Sequence, residues 1–218
     1  MSSLTVTASE ASAVAWYMRV LVLTGATEMG GASVLAYNPP NNPITPNGPD
    51  SLIVWALENF TSATVLSPVS DNTALDSAAG AEGDSYAHGY YSGTVTAGDA
   101  VTVGCASGDA AQFAAYEILA SGGSIPAMDG SAPELATATA ASVTSSSFSP
   151  PAGAVLAALI ACYDTAGTIS PAVSGGGLTW TQQALLNQFS QTFAAVYTAT
   201  VPSGAAASPS GLLMAGIV

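Results

Sequence analysis

The sequence predicts an all-β protein made of two tandem antiparallel β-sandwich units, and three observations lead there. Short β-branched or aromatic runs recur between clusters of Gly, Pro, Asp, Asn and Ser, while helical periodicity is hard to find. The middle of the chain is repeated, in the same order, towards its C-terminal end. Only 7% of the 218 residues are charged, so Ser, Thr, Asn, Gln and the backbone must wet the surface. An ordinary soluble domain is about a quarter charged.

The predicted strands are residues 4–8, 14–23, 51–58, 90–96, 100–105, 113–119, 154–162, 178–183, 193–201 and 211–218. Strands at this spacing with no helices between them belong to sandwiches or barrels, here of immunoglobulin-like or jelly-roll-like type. The Ala-rich stretch 132–141 runs into Thr137, Thr139, Ser142, Val143 and Thr144 in alternation, which suits an extended edge better than a helix.

The repeat sets the organisation. Ser51-Leu-Ile-Val-Trp-Ala-Leu-Glu58, then Ser67-Pro-Val-Ser-Asp71, matches Ala154-Val-Leu-Ala-Ala-Leu-Ile-Ala-Cys162, then Ser170-Pro-Ala-Val-Ser174. Tyr90-Tyr-Ser-Gly-Thr-Val-Thr-Ala-Gly98 matches Val196-Tyr-Thr-Ala-Thr-Val-Pro-Ser-Gly204. Residues 51–120 are thus read as the first unit and 134–218 as the second. Residues 30–50, with five prolines, and 121–133 are read as crossings. Proline cannot donate to a ladder, which excludes a central strand from the first crossing.

Residues 1–29 form an extra N-terminal strand pair. Leu4-Thr-Val-Thr, residues 13–21 and Met29-Gly-Gly resemble Val101-Thr-Val-Gly, residues 110–118 and Met128-Asp-Gly. They look like the closing strands of a unit whose opening strands are missing, and the C-terminal unit is itself short of a strand. Two arrangements follow: the segment augments an exposed sheet edge, in its own chain or a neighbour's, or it packs locally as a hairpin.

Charge excludes several functions. One Lys or Arg against fourteen Asp and Glu gives −13 and a pI near 4.1. Nucleic-acid binding needs clustered basic residues, and Arg19 stands alone. Phosphoryl transfer and adhesion to anionic lipid are disfavoured for the same reason. Mean hydropathy is +0.44, but Ala carries it and no apolar run approaches the roughly 20 residues of a spanning helix. The start of the chain lacks a basic signal region, so synthesis in the cytoplasm without Sec export is expected. Cys105 and Cys162 sit among apolar neighbours and read as buried free thiols rather than a bridge.

Candidate chemistry is sparse. His88 with Asp84 or Asp99 leaves a triad without a Gly-x-Ser-x-Gly elbow, so His88 reads as a structural histidine. Asp71, Asn72, Asp76, Glu82 and Asp84 crowd one acidic loop, without EF-hand spacing, and the matching second-unit loop has no carboxylates. Glu58 or Glu117 with an aspartate is the only glycosidase pair available, and nothing in the sequence positions it. Gly175-Gly-Gly177 lacks the Lys-Ser/Thr of a phosphate loop. Trp16, Trp55, Trp180 and Phe113 read as core anchors. Asn59-Phe-Thr61 fits a glycosylation sequon, which matters only in a secretory context. No catalytic, metal-binding or cofactor-binding residue is assigned, and no enzyme activity is expected.

Ser174-Gly-Gly-Gly-Leu-Thr-Trp-Thr181, followed by Ala194-Ala-Val-Tyr-Thr-Ala-Thr-Val201, resembles a pattern in small β-sandwich modules of tailed-bacteriophage virion proteins, particularly those of phages infecting actinobacteria, and of some bacterial surface proteins. The first unit keeps Ser67-Pro-Val-Ser-Asp71 and Tyr91-Ser-Gly-Thr-Val95 but has Leu75 where the pattern has Trp. The resemblance implies a virion structural protein: a head decoration or minor capsid protein, or a minor tail or fibre component. It implies a homo-oligomer contacting the major capsid protein or other virion proteins, with no nucleic-acid or membrane partner. The alternative is a host-surface or carbohydrate-binding adhesin, for which Tyr86, Tyr90 and Tyr91 would form an exposed face.

Overall fold

The structure is a computed structural model that describes residues 3–27, 30–38, 41–80, 82–106, 111–163, 171–187 and 192–203. Among the described residues there is no helix, and therefore none long and apolar enough to cross a membrane. In chain order the strands are β1 (Thr7–Thr24), β2 (Ala26–Thr27), β3 (Ser33–Tyr37), β4 (Asn41–Ile44), β5 (Leu52–Asn59), β6 (Asn72–Ala79), β7 (Ser85–Tyr91) and β8 (Val101–Gly104). There follow β9 (Ala111–Ala120), β10 (Ala127–Met128), β11 (Ala136–Thr144), β12 (Val155–Tyr163), β13 (Ala172–Ser174), β14 (Thr181–Leu186) and β15 (Thr192–Thr200). One sheet runs β2-β9-β5-β7-β6, with β3 also on β9. The other runs β10-β1-β12-β15-β14, with β11 and β13 also on β1, and β4 pairs β8 in a separate ribbon.

The repeat is visible in the strand order, because β3-β9-β5-β7-β6 is reproduced by β11-β1-β12-β15-β14. Side-chain alternation agrees with it. Ile53, Trp55 and Leu57 of β5 join Phe113 and Ala115 of β9, Ala87 of β7, and Ile44 and Val103 of the ribbon in one core. Leu156, Ala158 and Ile160 of β12 join Trp16 and Met18 of β1 and Ala195 of β15 in the equivalent second core. Trp16 meets Phe193 edge to face at 5.7 Å. Strand β1 therefore takes in the second unit the place that β9 takes in the first. Residues Ala15 to Leu23 pair antiparallel with Tyr163 to Val155 along one edge, and β11 lies along the other.

The described residues of the 1–29 segment accordingly form no hairpin. The two strands expected at 4–8 and 14–23 merge into β1, whose ladder with β11 breaks between Ser9 and Val14. Beyond that break, Thr7 to Ser9 pair with both β11 and β13, so the same strand serves two parts of the second unit. Other expectations need correction. The segment read as a Pro/Asn crossing contains β3 and β4, with Pro43 in a two-stranded ribbon, where strand edges tolerate it. The crossing at 121–133 contains β10. Much of the supposed acidic loop is β6, an edge strand made by pairing with β7 despite the weak β-propensity of its Asn, Ala, Asp and Ser residues. Strands expected at 90–96 and 178–183 lie at 85–91 and 181–186. The strand expected at 211–218 lies outside the described residues.

The two sheets pack back to back. Val54, Ala56, Ala114, Tyr116 and Ile118 face Leu21, Leu23, Ala157, Leu159, Ala194 and Val196 across the join. Burial on both faces explains why β5, β9, β12 and β15 read as nearly unbroken apolar runs rather than alternating ones. The join is lopsided. On one side β14 and β15 pack over β3 and β9; on the other, β6 and β7 stand off from β1 and β11 and meet them through long polar and aromatic side chains.

Candidate functional site: the polar seam between the sheets

Alternation along each strand sends a polar group into the join at its open side. Glu58 of β5 shares the face of Val54 and Ala56, and it lies opposite Tyr86 on β7 and Gln112 on β9. Asp76 of β6 lies opposite His88 of β7. From the other sheet, β1 contributes Tyr17 and Arg19. The rings of Tyr17 and Tyr86 stack at 3.9 Å with 10° between their planes, closing the seam. Arg19 Nη1 stands 3.7 Å from Asp76 Oδ1 and 3.5 Å from Glu134 Oε2, and His88 Nδ1 stands 3.7 Å from Asp76 Oδ2. The sole Lys or Arg of the chain thus ties one sheet to the other.

Among the described residues, most buried side-chain polar atoms that lack a close hydrogen-bond partner lie in this seam. They include Arg19 Nε, both carboxyl oxygens of Glu58, Asp84 Oδ2, Ser85 Oγ and both ring nitrogens of His88. Burial raises the Glu58 carboxyl well above its ordinary value, and the neighbouring Asp84 charge pushes the same way. The surroundings of Glu58 therefore favour its protonated form. Burial lowers His88, against the opposing pull of Asp76, and keeps its imidazole neutral. Burial raises the Tyr86 hydroxyl, aided by Asp76, Glu58 and Asp84. At the mouth lies a groove of about 440 Å³ bounded by Tyr17, Gly80, Tyr86, Thr137 and Thr139.

The remaining residues singled out in the sequence are structural. Glu117 sits on the opposite face of its strand from Gln112, five rungs from Glu58's partner, so the two glutamates do not face one cleft. Its Oε2 accepts from the amides of Ala32 and Asn47, both at 2.8 Å. Its Oε1 accepts from the Gly48 amide at 3.0 Å and Ser51 Oγ at 2.7 Å, which fastens the crossing segment to β9. Asp71 occupies a left-handed turn position, Asp99 is exposed, and Asn72 bonds Trp55 and Gly104. Among the described residues, no group of three or more His, Cys, Asp or Glu is placed to hold a metal ion.

The glycine run has a packing role. A Cβ on Gly175 would lie 2.1 Å from the Thr5 carbonyl oxygen, so glycine lets this turn close onto the start of β1. Asn59 of the sequon is buried and accepts from Thr61. Trp16, Trp55 and Phe113 are fully buried, and Trp180 packs partly buried on the second core. Cys105 and Cys162 are buried free thiols, and burial pushes Cys105 up to about 12. Tyr86 is buried and Tyr90 and Tyr91 are half-buried, so the three do not form an exposed stacking face. A cavity of about 650 Å³ lies between Leu4, Pro150, Leu178 and Val201, and among the described residues no titratable side chain lines it.

Sequence reasoning missed the seam. Its one signal was Arg19, a lone cation within an otherwise apolar run. No known protein family, curated protein or solved structure matches this chain at a significant level.

Proposed function

We propose that this chain is a non-enzymatic structural protein of a virion, a head decoration or minor capsid protein that attaches to its neighbours through the edges of its sheets. The observation that carries this reading is the state of four longer edge strands. Among the described residues, β3, β6, β11 and β14 are each paired on one side only. None contains Lys, Arg or Pro, and their one charged residue, Asp76, is engaged with Arg19. Monomeric proteins usually blunt such edges with charges, prolines or bulges. Here β6, β11 and β14 carry register shifts, whereas β3 pairs in unbroken register; the long edge β11 consists only of Ala, Thr, Ser and Val.

Two further features support it. Glu58, Asp84, His88 and Glu117 are buried, and Glu117 fastens the crossing segment to β9. The −13 charge repels acidic surfaces and favours a basic docking surface. The test is cryo-electron microscopy of the particle that contains this chain. Density in many symmetric copies on an icosahedral shell is the expected result. Density confined to a tail or fibre, or on no particle, overturns the assignment.

A further inference from the structure

We propose that β1 is exchangeable between copies of this chain: in an assembled form it closes the second unit of a neighbouring copy instead of its own. This goes beyond the reading above and stands without it. Strand β1 precedes the first unit but belongs entirely to the ladders of the second, pairing with β10, β11, β12 and β13. Directly after it, β2 pairs with β9 of the first unit. A single residue, Gly25, separates a strand of one unit from a strand of the other.

That residue is strained for any side chain. Gly25 has φ +67°, and a Cβ there would lie 3.0 Å from Ser124 Cβ and 3.2 Å from the Ile125 carbonyl oxygen. A one-residue hinge invites swapping, because opening it to an extended form lets β1 remake the same ladders on a partner; glycine holds the closed turn without strain, and a side chain there would favour the open form. In an exchanged pair, Ala15 to Leu23 would meet the same Val155 to Tyr163 ladder, now on the partner, and Trp16 would meet the partner's core. The closed form keeps in its favour the amide of Ser121 donating to the Gly25 carbonyl at 2.8 Å. Reciprocal exchange gives a two-fold dimer, and one-way exchange gives an open chain of copies.

The test uses the full chain. Wild type and Gly25→Val are unfolded, refolded at high and at low concentration, and sized by light scattering. Left-handed strain of about 1 kcal/mol per hinge, relieved at both hinges of a reciprocal dimer, corresponds to roughly a thirtyfold rise in the dimerisation constant for Gly25→Val. In parallel, in a background with Cys105→Ala and Cys162→Ala, one chain carrying Val20→Cys and another carrying Ala158→Cys are refolded together and oxidised. These positions pair across β1 and β12, so a disulfide between the two chains forms only if β1 has crossed. Dimers enriched in Gly25→Val and cross-linked in the mixed sample are expected. Monomers at every concentration, or dimers without the cross-link, overturn the proposal.

Discussion

Replacing Glu58 by Gln isolates the buried carboxyl pair. Glu58 is fully buried, its carboxyl lies beside Asp84, and Asp84 is only 1% exposed. The guanidinium of Arg19 is engaged with Asp76 and Glu134. Burial and the Asp84 charge therefore hold Glu58 protonated above the value of 4.5 that it has when unfolded. A folded state that binds this extra proton is favoured fully below 4.5, and the advantage is lost as pH rises through the raised folded value. For one proton the loss approaches about 1.4 kcal/mol per pH unit. Gln matches the shape, stays neutral and can donate to Asp84, so Glu58→Gln removes this slope. Urea unfolding from about pH 5 to about pH 9 reads it directly. The variant should gain on wild type steadily as pH rises, by up to about 1.4 kcal/mol per unit. Asp84→Asn, which removes the repelling charge, should shrink the wild-type slope. Parallel profiles for wild type and Glu58→Gln would mean that Glu58 is ionised in the folded chain and that the burial argument is wrong.

His88 titrates with the opposite sign. Its folded value lies below 6.5, so its contribution is present above 6.5 and lost as pH falls; His88→Gln should flatten that acid limb in the same urea series. Glu117→Ala strips a charged acceptor from three amides and one hydroxyl, and a loss of about 3–5 kcal/mol is expected, read as a lowered urea midpoint. Hydrogen exchange should rise at Ala32, Asn47 and Gly48 in that variant, and an unchanged midpoint would show that the crossing does not depend on Glu117. Cys105 and Cys162 should resist a thiol reagent in the native protein and both react after unfolding, since burial shields both and raises Cys105 to about 12.

Legibility in the sequence followed burial. Strands β5, β12 and β15 were recognisable because both of their faces are covered, which writes them as apolar runs between turn residues. Strand β11 was recognisable because one face is covered and the other is not, which writes Ala and Thr in alternation. Strand β6 was not recognisable: half-buried throughout, it is a strand because β7 offers it a ladder. The seam was hidden for the same reason, since Asp76 looked like part of an acidic loop until β6 placed it beside Arg19 and His88.

The sequence by itself determined the all-β class, the repeated strand order and the want of basic residues. These are carried by side-chain period, turn residues and composition, all of them local. The tertiary structure alone decided that β1 closes the second unit across more than a hundred intervening residues, that the sheets pack back to back, and that one side of their join is apolar and the other polar. Long-range pairing leaves no mark on the local pattern. A strand buried on both faces reads the same whichever partner lies at its edge, and only the folded chain selects one.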